Sequence, residues 1–231
     1  MQYFTPRVGV NRARILTSAE VKHALRGAEL TRDPERNRLL ILISHGCGLR
    51  VTECACVPIK AVLYSSGCIR SELTLSALYT KYHKERTVPL SSPRLLDAIE
   101  AYLDYRVAEG IGVIAGESDY RGLSPDLPLI MSGRGGGFAL ARKRRILDGG
   151  VEEVYLASDA LERVFAKLYS KVGLHGATSH SGRRTYATHL LEDNVPVETI
   201  AYLLGHQSID ATYPYIQPSE DAIRHAFEVA L

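Results

Sequence analysis

The chain has 231 residues, of which 45% are hydrophobic and 23% are charged, as in an ordinary globular protein. The net charge is only +2, so any surface that binds a polyanion must be built by local clustering of Lys and Arg. The longest apolar run, residues 39–43, is far too short to cross a membrane, and we recognise no signal sequence. These features exclude an integral membrane protein and favour a cytoplasmic one.

The four cysteines all lie between Cys47 and Cys68. No two of them form a CxxC pair, and the histidines are far away in sequence, so the spacing does not predict a zinc site. We therefore expect reduced thiols of the kind found in cytosolic proteins.

The N-terminal segments predict an arm followed by two helices. Residues 1–14 carry arginines without apolar periodicity and are expected to form a flexible basic arm. Thr17–Glu20 fits a capping box, which predicts a helix to about Leu30. Asp33-Pro34 supplies an N-cap and a first-turn proline for a second helix, which has an apolar middle and ends near residues 46–48.

The middle of the chain predicts a β-hairpin and one further helix. Apolar and polar residues alternate from Ile69 to Tyr79, and a second extended run covers Arg86–Leu90. These runs form an antiparallel hairpin with Lys81 at its turn. Residues 93–106 then show the apolar spacing of an amphipathic helix.

The second half is loop-rich at first and helical at the end. Residues 108–136 contain many glycines, and Arg142–Arg145 is the densest basic run, inside a stretch (139–157) that has the character of an insertion. Helices are expected from Asp159 onwards. The whole pattern predicts an α+β fold, mostly helical, around one small antiparallel sheet.

Three segments place basic and polar groups beside apolar helices. They are residues 48–53, residues 180–184 and residues 203–206, the last followed nine positions later by Tyr215. Two arginines, two histidines and a tyrosine in this arrangement indicate chemistry on a phosphate, because guanidinium groups clamp phosphate oxygens and tyrosine can act as a nucleophile. No carboxylate cluster suited to a catalytic metal is present, so we expect neither a metal nor another cofactor.

These segments resemble the signature boxes of the tyrosine recombinase (phage integrase) family. The resemblance rests on Gly-Leu-Arg-x-x-Glu, on His-x-x-Arg and on Leu-Gly-His followed by a tyrosine, in the family's order along the chain. It runs from about Leu16 to Tyr215 and implies a tyrosine-recombinase catalytic domain over residues 15–217.

The resemblance assigns roles to five residues of these boxes. Arg50 and Arg183 match the two catalytic arginines, which clamp the oxygens of the scissile phosphate. His180 matches the histidine that bonds the phosphate and acts as a base, and His206 matches the one that stabilises the transition state. Glu53 matches the carboxylate that holds the first arginine in place.

Two further roles have rivals nearby. Lys81 matches the hairpin lysine that protonates the departing 5′ oxygen, and Lys84 is the alternative. Tyr215 matches the nucleophile that forms a 3′-phosphotyrosine, and Tyr213 is the alternative. The spacing from His206 favours Tyr215.

The implied function is site-specific recombination of double-stranded DNA, within a mobile element, by a tetrameric synapse and with an accessory DNA-bending factor as a further partner. Two alternatives stay open: a DNA-binding regulatory protein with the same fold, and strand relaxation of the type IB topoisomerase kind. Residues 218–231 form an amphipathic pattern that predicts a helix packed either on its own core or on a neighbouring protomer. The candidate DNA contacts are Arg134, Arg142, Lys143, Arg144, Arg145 and Arg184.

Overall fold

The computed structural model describes residues 13–80, 84–133, 135–146, 150 and 152–216, without the side chain of Arg145. Most of the predicted N-terminal arm and the predicted helix at 218–231 therefore lie outside the described residues. The same holds for two candidate site residues, Lys81 and Arg134.

Four helices open the described chain: α1 (Ser18–Glu29), α2 (Pro34–Cys47), α3 (Val51–Cys56) and α4 (Ile59–Val62). The predicted capping box is confirmed, since the Thr17 hydroxyl accepts from the Glu20 amide at 3.2 Å while the Glu20 carboxylate accepts from the Thr17 amide at 3.0 Å. α2 ends at Cys47 and is capped by Gly48, within the predicted range 46–48. Gly48 adopts a left-handed φ of 58°, which glycine tolerates without strain.

The predicted hairpin is confirmed, but its strands are shorter than expected. β1 (Glu72–Leu75) pairs antiparallel with β2 (Arg86–Pro89), with Leu73 opposite Val88. The alternation of apolar and polar residues predicted a strand as far as Tyr79, but the pairing ends at Leu75. The side-chain period of two shows which face a residue occupies, and it does not show where the partner strand stops. Helix α5 (Pro93–Ala108) follows as predicted.

A second hairpin lies where the sequence predicted only a basic insertion. β3 (Ala141–Ile146) pairs antiparallel with β4 (Glu152–Ala157). Within the described residues, this sheet has no strand in common with the first. The prediction of one small sheet is therefore wrong, since the described residues form two two-stranded sheets. The predicted class, α+β and mostly helical, is confirmed.

Three α-helices follow, α6 (Asp159–Lys171), α7 (Ser181–Glu192) and α8 (Val197–Leu204), and a short 3-10 helix at Ile209–Ala211 comes after them. α2 packs against α1, α5 and α7 and carries the fully buried side chains of Leu39, Leu40 and Ile41. The polar segments at residues 48–53 and 180–184 begin where α2 ends and where α7 starts, so the packing of α2 on α7 brings them together. No helix in the described part of the chain is long and apolar enough to cross a membrane.

Candidate active site

Glu53 lies at the centre of a buried ion-pair cluster. Its side chain has no exposed surface, and it accepts hydrogen bonds from the Arg50 amide at 2.8 Å and from the Arg50 guanidinium at 2.9 Å. One of its carboxylate oxygens also accepts from Arg86 on β2, at 2.7 Å. The carboxylate therefore ties the start of α3 to the first hairpin and fixes the direction of the Arg50 side chain.

The cluster keeps Glu53 ionised although it is buried. Burial alone would raise the pKa of this carboxyl, but the charges of Arg86, Arg183 and Arg50 outweigh it and hold the pKa below its ordinary value. Desolvation is thus compensated by three cations, as a buried carboxylate requires.

Arg183 is fully buried and bridges two of the other segments. Its guanidinium donates to the Gly48 carbonyl at 2.6 Å and to the Leu204 carbonyl, and it lies 3.0 Å from His206 Nε2. Burial lowers the pKa of Arg183, and the nearby charge of Arg50 lowers it further. This positive charge in a poorly solvated place favours the approach of an anion.

His206 is held on both ring nitrogens. Because a guanidinium only donates, the neutral ring accepts from Arg183 at Nε2 and carries its proton on Nδ1. Nδ1 lies 2.7 Å from the hydroxyl of Thr212, which is fully buried. The imidazole is thereby fixed in tautomer and orientation beside the second arginine.

The ring of Tyr215 covers this pair. Its centroid lies 5.0 Å from that of the His206 ring and 5.4 Å from the central carbon of the Arg183 guanidinium. Arg183 has no exposed surface, and the Tyr215 ring is one of the groups packed around it. Tyr213, the rival nucleophile, is 56% exposed and makes neither of these ring contacts.

His180 lies at the start of α7 and lines an open cleft of about 820 Å³ together with Tyr215. Desolvation lowers the pKa of His180, Glu162 partly opposes this, and the charges of Arg183 and Arg50 lower it further. A lowered pKa keeps the ring neutral near pH 7, which is the form that can accept a proton.

The described basic residues that were predicted to contact DNA lie in three different environments. Arg142 and Arg144 are exposed on β3, whereas Lys143 lines the cleft and pairs with Asp159 at 2.5 Å. Arg184 is almost fully buried and donates to the Ala13 carbonyl, which leaves little of its side chain for an outside ligand.

Two residues of the site were missed by sequence reasoning, Arg86 and Thr212. Arg86 has a signal that could have been used, because it is a charged residue at an inward position of the alternating strand β2. Thr212 has none that we can identify, since its contact with His206 depends on how the chain turns after α8.

Within the described residues, no three His, Cys, Asp or Glu side chains come close enough together to hold a metal ion. The site in this part of the chain is therefore built from arginines, histidines and a tyrosine around one carboxylate.

The chain is similar to proteins called tyrosine recombinases. It is 26% identical over 225 residues to tyrosine recombinase XerA of Pyrococcus furiosus, covering 97% of this chain and 64% of XerA. It is 28% identical to tyrosine recombinase XerC of Pelobacter propionicus, covering 84% of this chain and 52% of XerC. The chain thus spans between half and two thirds of the length of these relatives.

Solved structures share the fold. A crystal structure of XerA recombinase superposes with a TM-score of 0.67 at 22% identity, covering 96% of this chain and 66% of the other. XerH site-specific recombinase, bound to a palindromic difH substrate, gives 0.66 at 19% identity and covers 96% of this chain and 54% of XerH. The phage integrase family model matches residues 14–221. The family expected from the signature boxes is thereby confirmed, and the chain belongs to the phage integrase family.

Proposed function

We propose that the chain is a site-specific recombinase that cuts and rejoins double-stranded DNA through a 3′-phosphotyrosine on Tyr215. The observation that carries the proposal is that Tyr215 packs against Arg183 and His206 and lines one cleft with His180. Arg50 joins the same cluster through Glu53. Its relatives XerA and XerC are both called tyrosine recombinases.

In the first step, the Tyr215 oxygen attacks the scissile phosphorus and the bond to the 5′ oxygen breaks. The phenol proton passes to a base, for which the neutral His180 ring is the candidate. Arg50 and Arg183 neutralise the charge that spreads over the non-bridging oxygens, and such positioned cations contribute most of the rate in phosphoryl transfer.

The leaving 5′ oxygen requires a proton. We assign this proton to Lys81, on the resemblance of the hairpin to that of the family, and a lysine ammonium at this place acts as a general acid. Lys84, the rival, is exposed at the start of the described segment that leads into β2.

The second step reverses the first with a new partner. A 5′ hydroxyl of another strand attacks the phosphotyrosine, the bond to Tyr215 breaks, and the tyrosine regains its proton. One phosphodiester is exchanged for another, so the reaction needs no nucleotide to drive it. We also expect activity to persist in EDTA, since arginines supply the charge that a metal supplies elsewhere.

The second hairpin, β3–β4, is the proposed contact with the DNA backbone outside the cut. Arg142 and Arg144 are exposed there, and the pair between Arg144 and Glu152, 3.2 Å long, is a surface ion pair of little strength. The Thr52 hydroxyl, two residues after Arg50, donates to the Leu156 carbonyl of β4 at 3.2 Å. The hairpin is thus attached next to the first catalytic arginine.

Strand exchange between two duplexes requires four strands to be cut, and each site cuts one. We therefore propose a homo-oligomeric synapse on DNA, tetrameric when complete, with an accessory DNA-bending factor as a further partner. XerH is bound to a palindromic substrate, and palindromic sites match the two-fold symmetry of a protein pair. We place the enzyme in the cytoplasm, where the DNA of a mobile element that it integrates or excises is found.

Covalent capture tests the proposal and identifies the DNA site in the same experiment. The protein is incubated with nicked duplexes of random sequence, and DNA that stays attached to it on a denaturing gel is recovered and sequenced. We expect an adduct whose attached peptide contains Tyr215. Tyr215→Phe should abolish it, because the ring remains but the nucleophilic oxygen is lost.

Tyr213→Phe is the matched control. It removes a hydroxyl from an exposed tyrosine that lies two residues before Tyr215. It should leave the adduct intact. The reverse result would assign the nucleophile to Tyr213. Relaxation of supercoils without any joining between duplexes would support the topoisomerase alternative, and DNA binding with no adduct would support a regulatory protein.

A further inference from the structure

We propose that Arg86 is a positioning residue for this reaction, which holds Arg50 and His206 in one arrangement through a shared carboxylate and a helix carbonyl. The inference rests on the proposed function.

The first tie of Arg86 is to the carboxylate that orients Arg50. Arg86 points inward from β2 with a side chain only 4% exposed, and its Nη2 lies 2.7 Å from Glu53 Oε2. Glu53 Oε1 accepts from Arg50 at 2.9 Å. Two guanidinium groups thus share one carboxylate. A shift of Arg86 would therefore move Glu53, and Glu53 sets the direction of the Arg50 side chain.

The second tie of Arg86 is to the segment that carries His206. Its Nη1 donates to the carbonyl of Leu203 in the last turn of α8. Carbonyls in the last turn of a helix lack partners within the helix, and a cation there is stabilising. α8 ends one residue later, and His206 follows after a single glycine.

That glycine is in close contact with the same arginine. Gly205 has a left-handed φ of 62°, and a Cβ added to it would lie 2.5 Å from Arg86 Cδ. The stem of Arg86 therefore packs directly against the turn into His206. Arg86 contacts this turn and the Glu53 carboxylate at once, and its burial keeps it from the substrate.

An arginine is suited to this task and a lysine is not. The planar guanidinium presents several donors in a fixed fork, so it can bond a carboxylate and a carbonyl in two directions at the same time. A lysine can replace the charge beside Glu53 but cannot keep both bonds in this geometry. Glutamine removes the charge as well.

The test distinguishes a residue that positions the catalytic groups from one that binds DNA. Cleavage under single turnover and the dissociation constant for DNA are measured on the duplex recovered by covalent capture. We expect Arg86→Gln to lower the cleavage rate about 100-fold, comparable to the loss of one charge-stabilising donor, with the dissociation constant changed less than about threefold. Arg86→Lys should recover only part of the rate, because it restores the charge but not the second bond.

Arg106 provides the matched control. It is fully buried and donates to the carbonyls of Ile111, Pro128 and Leu129, away from the site. Arg106→Gln and Arg106→Lys should lower the melting temperature but leave the cleavage rate of the folded protein unchanged. Equal losses in the Arg86 and Arg106 variants would show general destabilisation and overturn the proposal. If Arg86→Gln does not fold, the comparison of Arg86→Lys with Arg106→Lys decides in the same way.

A second substrate identifies the step that is affected. A scissile phosphate with sulfur in place of the bridging 5′ oxygen has a leaving group that needs no general acid. The loss in Arg86→Gln should persist on it, because Arg50 and His206 act on the phosphate itself. Recovery of the rate would instead assign Arg86 to the proton donor and overturn the proposal. No adduct with the unaltered protein would overturn the proposed function and this inference together, whereas an active protein with unaffected Arg86 variants would overturn the inference alone.

Discussion

The two arginines to which we assign the phosphate differ in how the protein encloses them. Arg50 is held by Glu53 but keeps a side chain that is 14% exposed. Arg183 is fully buried and bonds two main-chain carbonyls, those of Gly48 and Leu204. Arg183 therefore joins parts of the fold in addition to any role toward a phosphate, while Arg50 is the more accessible of the two.

This difference predicts different effects of the same substitution. Arg50→Ala should reduce the cleavage rate by about 10² to 10³ with little change in DNA affinity, because its charge is needed most in the transition state. Arg183→Ala should cause at least as large a loss. It should also lower the melting temperature by several degrees, since it leaves two buried carbonyls without their donor.

Single-turnover cleavage, DNA binding and thermal unfolding of both variants check this prediction. Equal losses of affinity and rate in Arg50→Ala would contradict it and indicate an ordinary phosphate contact. An unchanged melting temperature for Arg183→Ala would contradict the bridging role.

Two contacts within the candidate site were predictable because their residues occur in short motifs with fixed spacing. His206 and Tyr215, nine residues apart, are in ring contact, and Glu53 bonds Arg50 three residues before it. The supporting contacts were not predictable in this way. Arg86 reaches Glu53 across 33 residues, and such a pair depends on the tertiary packing of β2 rather than on any local pattern.

At the scale of elements, helices whose starts are marked in the sequence were predicted, whereas α3 and α4 were not. α1, α2 and α5 have caps or first-turn prolines in the sequence, and these mark where a helix begins. The hairpin β3–β4 has no such marks. Four of the six residues of its first strand are Arg or Lys, and neither is among the residues enriched in strands, so the composition did not predict β3.

The hairpin carries a prediction about salt. Arg142→Ala combined with Arg144→Ala should weaken DNA binding and reduce the slope of log affinity against log salt by about 2, because each phosphate contact contributes about 0.9 to that slope. The cleavage rate at saturating DNA should stay the same, since neither side chain lies in the Tyr215 cleft.

Binding isotherms over a range of salt concentrations measure the slope. Lys22→Ala combined with Arg26→Ala is the control, because it removes the same charge from two exposed positions on α1. If this control lowers the slope as much as the hairpin variant, net charge is responsible and the hairpin is not a DNA contact.

At the scale of the whole molecule, the site depends on how closely α7 approaches α2. Gly182, next to Arg183, makes the approach possible, since a Cβ there would lie 1.9 Å from Ser44 Oγ and 3.0 Å from His45 Nδ1. His45 also lies beside Tyr169 of α6, with ring centroids 6.3 Å apart. His45 is thus at the junction of three helices, where a new charge disturbs the packing of all of them.

The state of His45 predicts how stability depends on pH. Its Nδ1 donates to the Ile41 carbonyl at 2.9 Å, and its Nε2 is shielded from solvent without a partner among the described residues. Desolvation lowers the pKa of His45 to about 4, the bond to Ile41 partly opposes this, and His189 lowers it further. The unfolded chain takes up the proton near 6.5 while the folded protein does not, so stability should fall as the pH decreases from 6.5 to about 4. The loss is roughly 3 kcal/mol at most.

Urea denaturation at several pH values between about 7 and 4 measures this loss. His45→Gln should reduce the slope over that window, because it removes one group whose protonation differs between the two states, while His180, whose pKa is also lowered by folding, still contributes. His23→Gln, at an exposed position on α1, should leave the slope unchanged. The carboxyl of Glu53, whose pKa is lowered from 4.5, adds its own loss of stability at the acid end of this window, so the slopes are compared above about pH 5. A slope that is the same in His45→Gln and in the unaltered protein would show that His45 is not the group responsible, and that the junction of α2, α6 and α7 tolerates its charge.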